Sequence, residues 1–205
     1  MNNPKSVIKN IDIDSRVATC HLPTEYGDFK MHVFQDAISG KESVALTMGN
    51  FTDEEPVLCR VHSECLTGDI FHSLRCDCGP QLNESMKLIA LKKRGVLIYL
   101  RQEGRGIGLL NKVNAYALQE KGADTVEANE ILGFDSDLRD YAEAKLWLNY
   151  LGITSIKLLT NNPAKIDALK SFGFQVERTA LHVGNTAQNT GYLSIKRAKM
   201  GHFHN

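Results

Sequence analysis

A chain of 205 residues, 42% hydrophobic and 23% charged, has the size and composition of one substantial globular domain. Its 24 basic side chains balance 24 acidic ones, which argues against a general nucleic-acid coat or a polybasic membrane binder. No apolar run reaches the ~20 residues that span a bilayer, and MNNPKSVIKN lacks the apolar core of a secretory leader, so a cytoplasmic protein with neither membrane nor nucleic-acid partner is expected.

Residues 1–15 are polar and patternless, a loose lead-in to a single domain spanning 1–205. Phe29, Met31 and Val33 then alternate with Lys30 and His32, which predicts a strand with one buried face. Val44, Leu46 and Met48 repeat the pattern, Pro56–Val61 is a further strand, and Pro23, Gly27, Gly40 and Gly49 punctuate them. The first third therefore reads as antiparallel β. After Cys78 the period changes: Gly79 and Pro80 open a helix with Leu82, Met86, Ile89 and Ala90 on one face, closed by Gly95. Val96–Leu100 is apolar without alternation, as in a strand covered on both faces. A second helix carries Leu109, Val113, Tyr116 and Ala117 and stops at Gly122, and a third runs from about Leu138 to Leu151. Ile156–Leu159 is the next strand, followed by a helix that Asn162 caps and Pro163 starts. The expected fold class is α/β (mixed α+β), an N-terminal antiparallel β region packed with a C-terminal layer of alternating strands and helices.

Five cysteines in a chain without an export signal argue for reduced thiols, not a disulfide framework. Cys20 and Cys59 lie on apolar strands and read as buried thiols. Cys65, Cys76 and Cys78 are different, because they sit among His62, Glu64, His72 and Asp77. Their spacing is not the paired CxxC of a zinc finger, and three thiolates with an unfilled position would hold a Zn2+ whose fourth ligand is water. His62 or His72 could instead close the shell and make the site structural, and plain buried thiols are the remaining alternative. Glu64, beside Cys65, is a candidate proton carrier.

Arg101–Gly108 and Thr160–Lys165 each join a buried strand to a helix with glycine, amide, hydroxyl and basic groups. Backbone N–H groups at such a helix start favour an anion, and two such turns suit a polyphosphate. Neither turn is a dinucleotide or NTPase fingerprint.

The stretches RVHSECLTGDIFHSLRCDCGPQL, RQEGRGIGLLNK, DTVEAN and LLTNNPAK follow one another in this order, with LPTEYGDF before them and KRAKMGH after. Together they resemble GTP cyclohydrolase II from Leu22 to His202. The resemblance implies conversion of GTP and water to formate, pyrophosphate and a diaminopyrimidinone ribosylamine phosphate, the first step of riboflavin biosynthesis. It also implies one Zn2+ per subunit on Cys65, Cys76 and Cys78, Mg2+ with the triphosphate, and a homodimer. The GTP contacts it implies are Arg60, Val61, His62, Ser63, Glu64, Gln81, Glu103, Gly104, Arg105, Thr125, Thr160 and Lys165, with Tyr116 near the base. On this basis His62 belongs to the substrate side.

Asp137 and Arg139 match the family's proton acceptor and its nucleophile toward the α-phosphorus. A guanidinium has no lone pair, so a nucleophilic Arg139 needs Asp137 to take its proton; the alternative is that Arg139 only stabilises charge on the phosphoryl group. Without the resemblance the pair reads as a capping acid and a solvated base at the start of the third helix. Asn114 departs from the family, where a basic residue is common. No stretch matches the dihydroxybutanone-phosphate synthase domain fused upstream in some relatives, so the stand-alone form is expected. Two rivals stay open: a variant that stops at the formamido product, and a GTP-binding regulator with a structural zinc.

Overall fold

The computed structural model describes residues 17–35, 40–52, 55–135 and 137–203; the expected lead-in, 1–15, lies outside them. Seven strands form one sheet: β1 (Val17–Thr24), β2 (Gly27–Gln35), β3 (Glu42–Met48), β4 (Val57–Ser63), β5 (Gly95–Leu100), β6 (Ser155–Leu159) and β7 (Gln175–Thr179). Their order is β1-β2-β3-β5-β4-β6-β7. Pairing is antiparallel from β1 through β3 to β5, then parallel from β5 through β4 and β6 to β7. The mixed α/β class therefore holds, and its two halves are one sheet joined where β3 meets β5. β4, which in sequence follows the antiparallel strands, sits in the middle of the parallel half.

The helices are α1 (Leu66–Asp69), α2 (Cys78–Lys92), α3 (Gly108–Gln119), α4 (Thr125–Ile131), α5 (Ala142–Tyr150), α6 (Pro163–Ser171) and α7 (Thr190–Met200). No helix among the described residues is long and apolar enough to cross a membrane. On one face of the sheet Ile89 of α2 packs on Phe29, Leu46 and Leu97. On the other, Trp147 and Leu148 of α5 and Ile166 and Leu169 of α6 pack on Val61, Ile98 and Leu158. Both faces of β2 are thus covered: Phe29 enters the first core and Phe34 the second. Buried His32 lies among them, its ring nitrogens each 3.0 Å from a hydroxyl, Thr19 and Thr47.

Three helix readings shift. α2 ends at Lys92 with Lys93 in the left-handed region (φ 53°), and Gly95 opens β5 instead of closing the helix. A Cβ on Gly95 would lie 2.8 Å from the Leu58 carbonyl oxygen and 2.9 Å from Ile89 Cγ1, so its bareness sets how closely α2 approaches the sheet. α3 has the expected extent but turns Leu109 and Val113 outward and buries Lys112 and Ala115. The third predicted helix, α5, starts at Ala142, whose N–H donates to Asp140 Oδ1 (3.0 Å); Asp137 and Arg139 precede it in non-helical backbone. α4 and α7 were not predicted. α4 carries its own signal, a capping box in which Asp124 accepts from Val126 and Glu127 while Glu127 accepts from the Asp124 N–H.

The central strands β5, β4 and β6 run parallel and end on the same side. From β4 the chain leaves through α2 over one face, and from β6 through α6 over the other. Adjacent strands whose connections diverge leave a crevice at their carboxyl ends, the usual ligand position in an open α/β sheet.

Candidate active site

β4 delivers Cys65 to that crevice, and Cys76 and Cys78 stand at the start of α2. The three sulfurs lie within 4.8 Å of one another, with Cys65 and Cys76 3.7 Å apart. A disulfide would need about 2.05 Å, whereas tetrahedral Zn–S bonds of about 2.3 Å place sulfurs roughly 3.8 Å apart. Gly68 makes the cradle: a Cβ there would lie 2.8 Å from Cys76 Sγ and 3.2 Å from Cys65 Sγ. Among the described residues neither histidine joins this group; His72 is exposed and His62 is bonded elsewhere. Three soft donors with one open side fit a zinc ion. All five cysteines are free. Cys59 is buried as expected, its thiol pushed up to about 12 by burial, but Cys20 on the edge strand β1 is exposed.

The sulfur loop is braced from below. Asp69 accepts from the Cys65 N–H (3.0 Å), His62 Nε2 (3.0 Å) and Tyr99 Oη (2.9 Å), and the His62 and Tyr99 rings stack at 5.5 Å. Burial pulls His62 below its ordinary pKa, so the neutral ring donates through Nε2 while Nδ1 faces Arg60 Nη2 at 3.3 Å. Glu103 is equally engaged: it accepts from Leu66 N (2.6 Å), Gly104 N (2.8 Å) and Lys112 Nζ (2.8 Å). Lys112 also reaches Cys65 Sγ at 3.2 Å. Hydrogen bonds from the neighbouring thiols, with the Lys112 charge, hold Cys65 far below an ordinary thiol.

Cys65 and Cys78 open onto a cavity of about 690 Å3, inside the ~300–1,000 Å3 range of small-molecule sites. Its walls include Ser63, Glu64, Glu103, Gly104, Arg105, Tyr116, Thr125 and Arg139. Burial pushes the Tyr116 phenol up to about 12, so it stays protonated, and its ring is faced by Arg75 and Lys112. Ser63, Cys78, Arg105, Arg139 and Tyr192 also wall a second recess of about 80 Å3, at the divergence of β4 and β6. Arg60, His62, Gln81, Thr160 and Lys165 line only this recess, where five cations, Arg60, Arg105, Arg139, Lys165 and Lys196, face one carboxylate, Asp77.

The recess gathers basic side chains. Arg60 donates Nη1 to the Leu159 carbonyl (2.8 Å) and Nη2 to Gln81 (2.7 Å), but its buried Nε has no hydrogen-bond partner. Lys165 Nζ donates to the Val61 carbonyl at 2.7 Å, and burial together with the charges of Arg60 and Arg139 drives its pKa well below the ordinary lysine value. An anion there would relieve both strains. Arg139 is gripped by Asp137, which accepts from Nε (2.8 Å) and Nη2 (2.5 Å). Although burial opposes it, that grip raises the guanidinium pKa above its ordinary value, and it lowers that of Asp137.

Three expected site residues line neither cavity. Val61 is in the core and its carbonyl accepts from Lys165, Cys76 is buried beside Cys65, and Asp137 is paired with Arg139. The sequence reading passed over Lys112, Asn129, Tyr192 and Lys196, which line the cavities. The signal for the last two was the helical spacing of Tyr192, Leu193 and Lys196 in the closing segment.

A family model described as GTP cyclohydrolase II matches residues 15–180. Similar proteins named GTP cyclohydrolase-2 include one from Hahella chejuensis, 57% identical over 187 residues, which are 91% of this chain and 90% of that protein. One from Azotobacter vinelandii is 59% identical over 91% of this chain and 90% of its own. One from Neisseria meningitidis serogroup B is 57% identical over 92% and 95%. Among solved structures, a two-domain 3,4-dihydroxy-2-butanone 4-phosphate synthase from A. baumannii aligns with TM-score 0.44 and 20% identity over 82% of this chain and 41% of that one.

Proposed function

The chain belongs to the GTP cyclohydrolase II family, and on that footing we propose that it opens the imidazole ring of GTP and releases formate and pyrophosphate. The observation that carries this reading is the meeting of two sites: a group of three sulfurs, two of which open onto a nucleotide-sized cavity, and a recess lined by five basic side chains that shares walls with that cavity. The triphosphate belongs in the recess, on Arg60, Thr160 and Lys165. The guanine belongs in the larger cavity, beside Tyr116 and the sulfurs.

Cys65, Cys76 and Cys78 would hold zinc, which supplies a Lewis acid and a water of lowered pKa when bound. Water adds at C8 of guanine, the ring opens, and a second hydrolysis frees formate. Glu64, which walls the same cavity as Cys65 and whose pKa burial raises, carries the proton. Arg139 acts as a fixed cation on the α-phosphoryl group as pyrophosphate leaves. A guanidinium held above its ordinary pKa, facing a carboxylate held below its own, is poorly matched to lose a proton and become a nucleophile. Mg2+ is assigned to the incoming triphosphate, since that ion is usually held by substrate phosphates with few protein ligands.

The chain is read as one domain, supported by its continuous sheet, and its setting as the reducing cytoplasm, supported by five free cysteines. Association into a homodimer is supported by the family resemblance and by the aliphatic face that α3 exposes; light scattering tests it.

The deciding experiment follows GTP loss, pyrophosphate and formate in parallel. All three should move together in the parent, while Cys76→Ser should stop formate and Arg139→Lys should slow pyrophosphate by at least about tenfold. Ring opening without formate would give the formamido variant, and recovery of intact GTP would give the regulator.

A further inference from the structure

Helix α3 turns the less expected side inward. Leu109, Leu110 and Val113 are 40%, 76% and 51% exposed, whereas Lys112 is 7% exposed. Burying an ammonium while leaving three aliphatic side chains in water is unfavourable unless the ammonium is paired. Lys112 has two partners, Glu103 Oε1 at 2.8 Å and Cys65 Sγ at 3.2 Å. The carboxylate alone would neutralise it. The sulfur contact adds nothing to that, and it falls on an atom of the metal cradle.

We propose that Lys112 is a positioning residue for the metal centre. Its ammonium donates to the Cys65 thiolate, fixes the direction of that sulfur and withdraws electron density from it. This rests on the zinc reading above. A thiolate that shares its lone pair with a cation donates less to a bound metal, which leaves the metal a stronger Lewis acid toward water. Glu103 closes the arrangement, because it holds Lys112 with one oxygen and the Leu66 N–H with the other. The loop that carries Cys65 is therefore gripped at its sulfur and at the following peptide by one ion pair. Tyr116, one helical turn beyond Lys112, faces the same cavity, so α3 ties the metal ligand to the wall proposed for the base.

The test compares the parent with Lys112→Met and Lys112→Arg after replacement of the bound metal by Co2+. Loss of the ammonium raises the energy of the thiolate lone pairs, so the sulfur-to-cobalt charge-transfer band of Lys112→Met should move to longer wavelength, and Lys112→Arg should keep the parent band. In chelator competition, loss of the grip that fixes the Cys65 sulfur should outweigh that sulfur's stronger donation, so zinc affinity of Lys112→Met should fall about 10–100-fold, the range for lost partners of metal ligands. Its formate-release kcat should fall with the KM for GTP little changed. A helix brace with no influence on the sulfur would leave the band in place. A folded Lys112→Met with the parent's band and zinc affinity overturns the proposal; if that variant does not fold, Lys112→Gln carries the same comparison. Failure of the parent to bind Co2+ through sulfur would instead sink the zinc reading itself.

Discussion

At the scale of single residues the cradle depends on an absent atom. Gly68 lies with room for no Cβ among the sulfurs, since one would meet Cys76 Sγ at 2.8 Å and Cys78 Cβ at 3.0 Å. Its φ is not in the left-handed region, so the requirement is space and not backbone freedom. Gly68→Ala is expected to spread the sulfurs and lower bound zinc from one per chain to near zero, with the far-ultraviolet circular dichroism unchanged. Metal analysis after dialysis checks this, and full zinc occupancy in the variant would contradict it. Nothing in the sequence singles out Gly68, because its reason is a contact between segments. The sulfurs themselves were legible, since three thiols in fourteen positions are a chemical signal that needs no fold. Whether a histidine closed the shell was not: that turned on His62 pointing to Asp69.

Among the elements, periodicity found most helices and misjudged what they face. Apolar spacing on α3 implied that Leu109 and Val113 pack inward, yet pairing of Lys112 with Glu103 and Cys65 decides the orientation. α5 begins late, at Ala142, whose N–H donates to Asp140, and the acid of the proposed catalytic pair grips Arg139 instead of a helix end. α7 carries the least legible contribution. It follows the residues matched by the family model, yet Lys196 Nζ reaches Asp77 Oδ1 at 2.7 Å and lines the anion recess. Asp77 in turn accepts from Gln81 (2.6 Å), which accepts from Arg60, so one hydrogen-bonded chain links α7 to β4. If Lys196 transfers to a phosphate oxygen, Lys196→Met should raise the inhibition constant of pyrophosphate about tenfold, the loss of one charge-assisted contact worth ~1.5 kcal/mol. That of GMP should change much less. Equal losses for both would reduce α7 to a prop for Asp77.

For the molecule as a whole, the placement of the metal ligands relative to the cores sets what zinc does for stability. Both hydrophobic cores form on the sheet without Cys65, Cys76 or Cys78, and the sulfurs close a short loop, Cys65 and Cys76 being 11 positions apart. Short loops restrict the unfolded chain little, so folding should not depend on the ion. Binding to the native state alone still stabilises it, by about 2.7 kcal/mol at a free zinc concentration 100 times the dissociation constant. For a chain of this size each kcal/mol moves Tm by roughly 2–4 °C. Chelation should therefore abolish formate release and lower Tm by roughly 5–11 °C, with unfolding still cooperative and the circular dichroism retained. Zinc should restore activity, and Mg2+ alone should not. An apo-protein that lacks a cooperative transition would make the ion structural and favour a GTP-binding regulator. The crevice at the divergence of β4 and β6 is formed by sheet topology, so it should persist without metal and still bind pyrophosphate. A folded, zinc-free chain that binds pyrophosphate but cannot release formate is thus the state that separates the two halves of the proposed site.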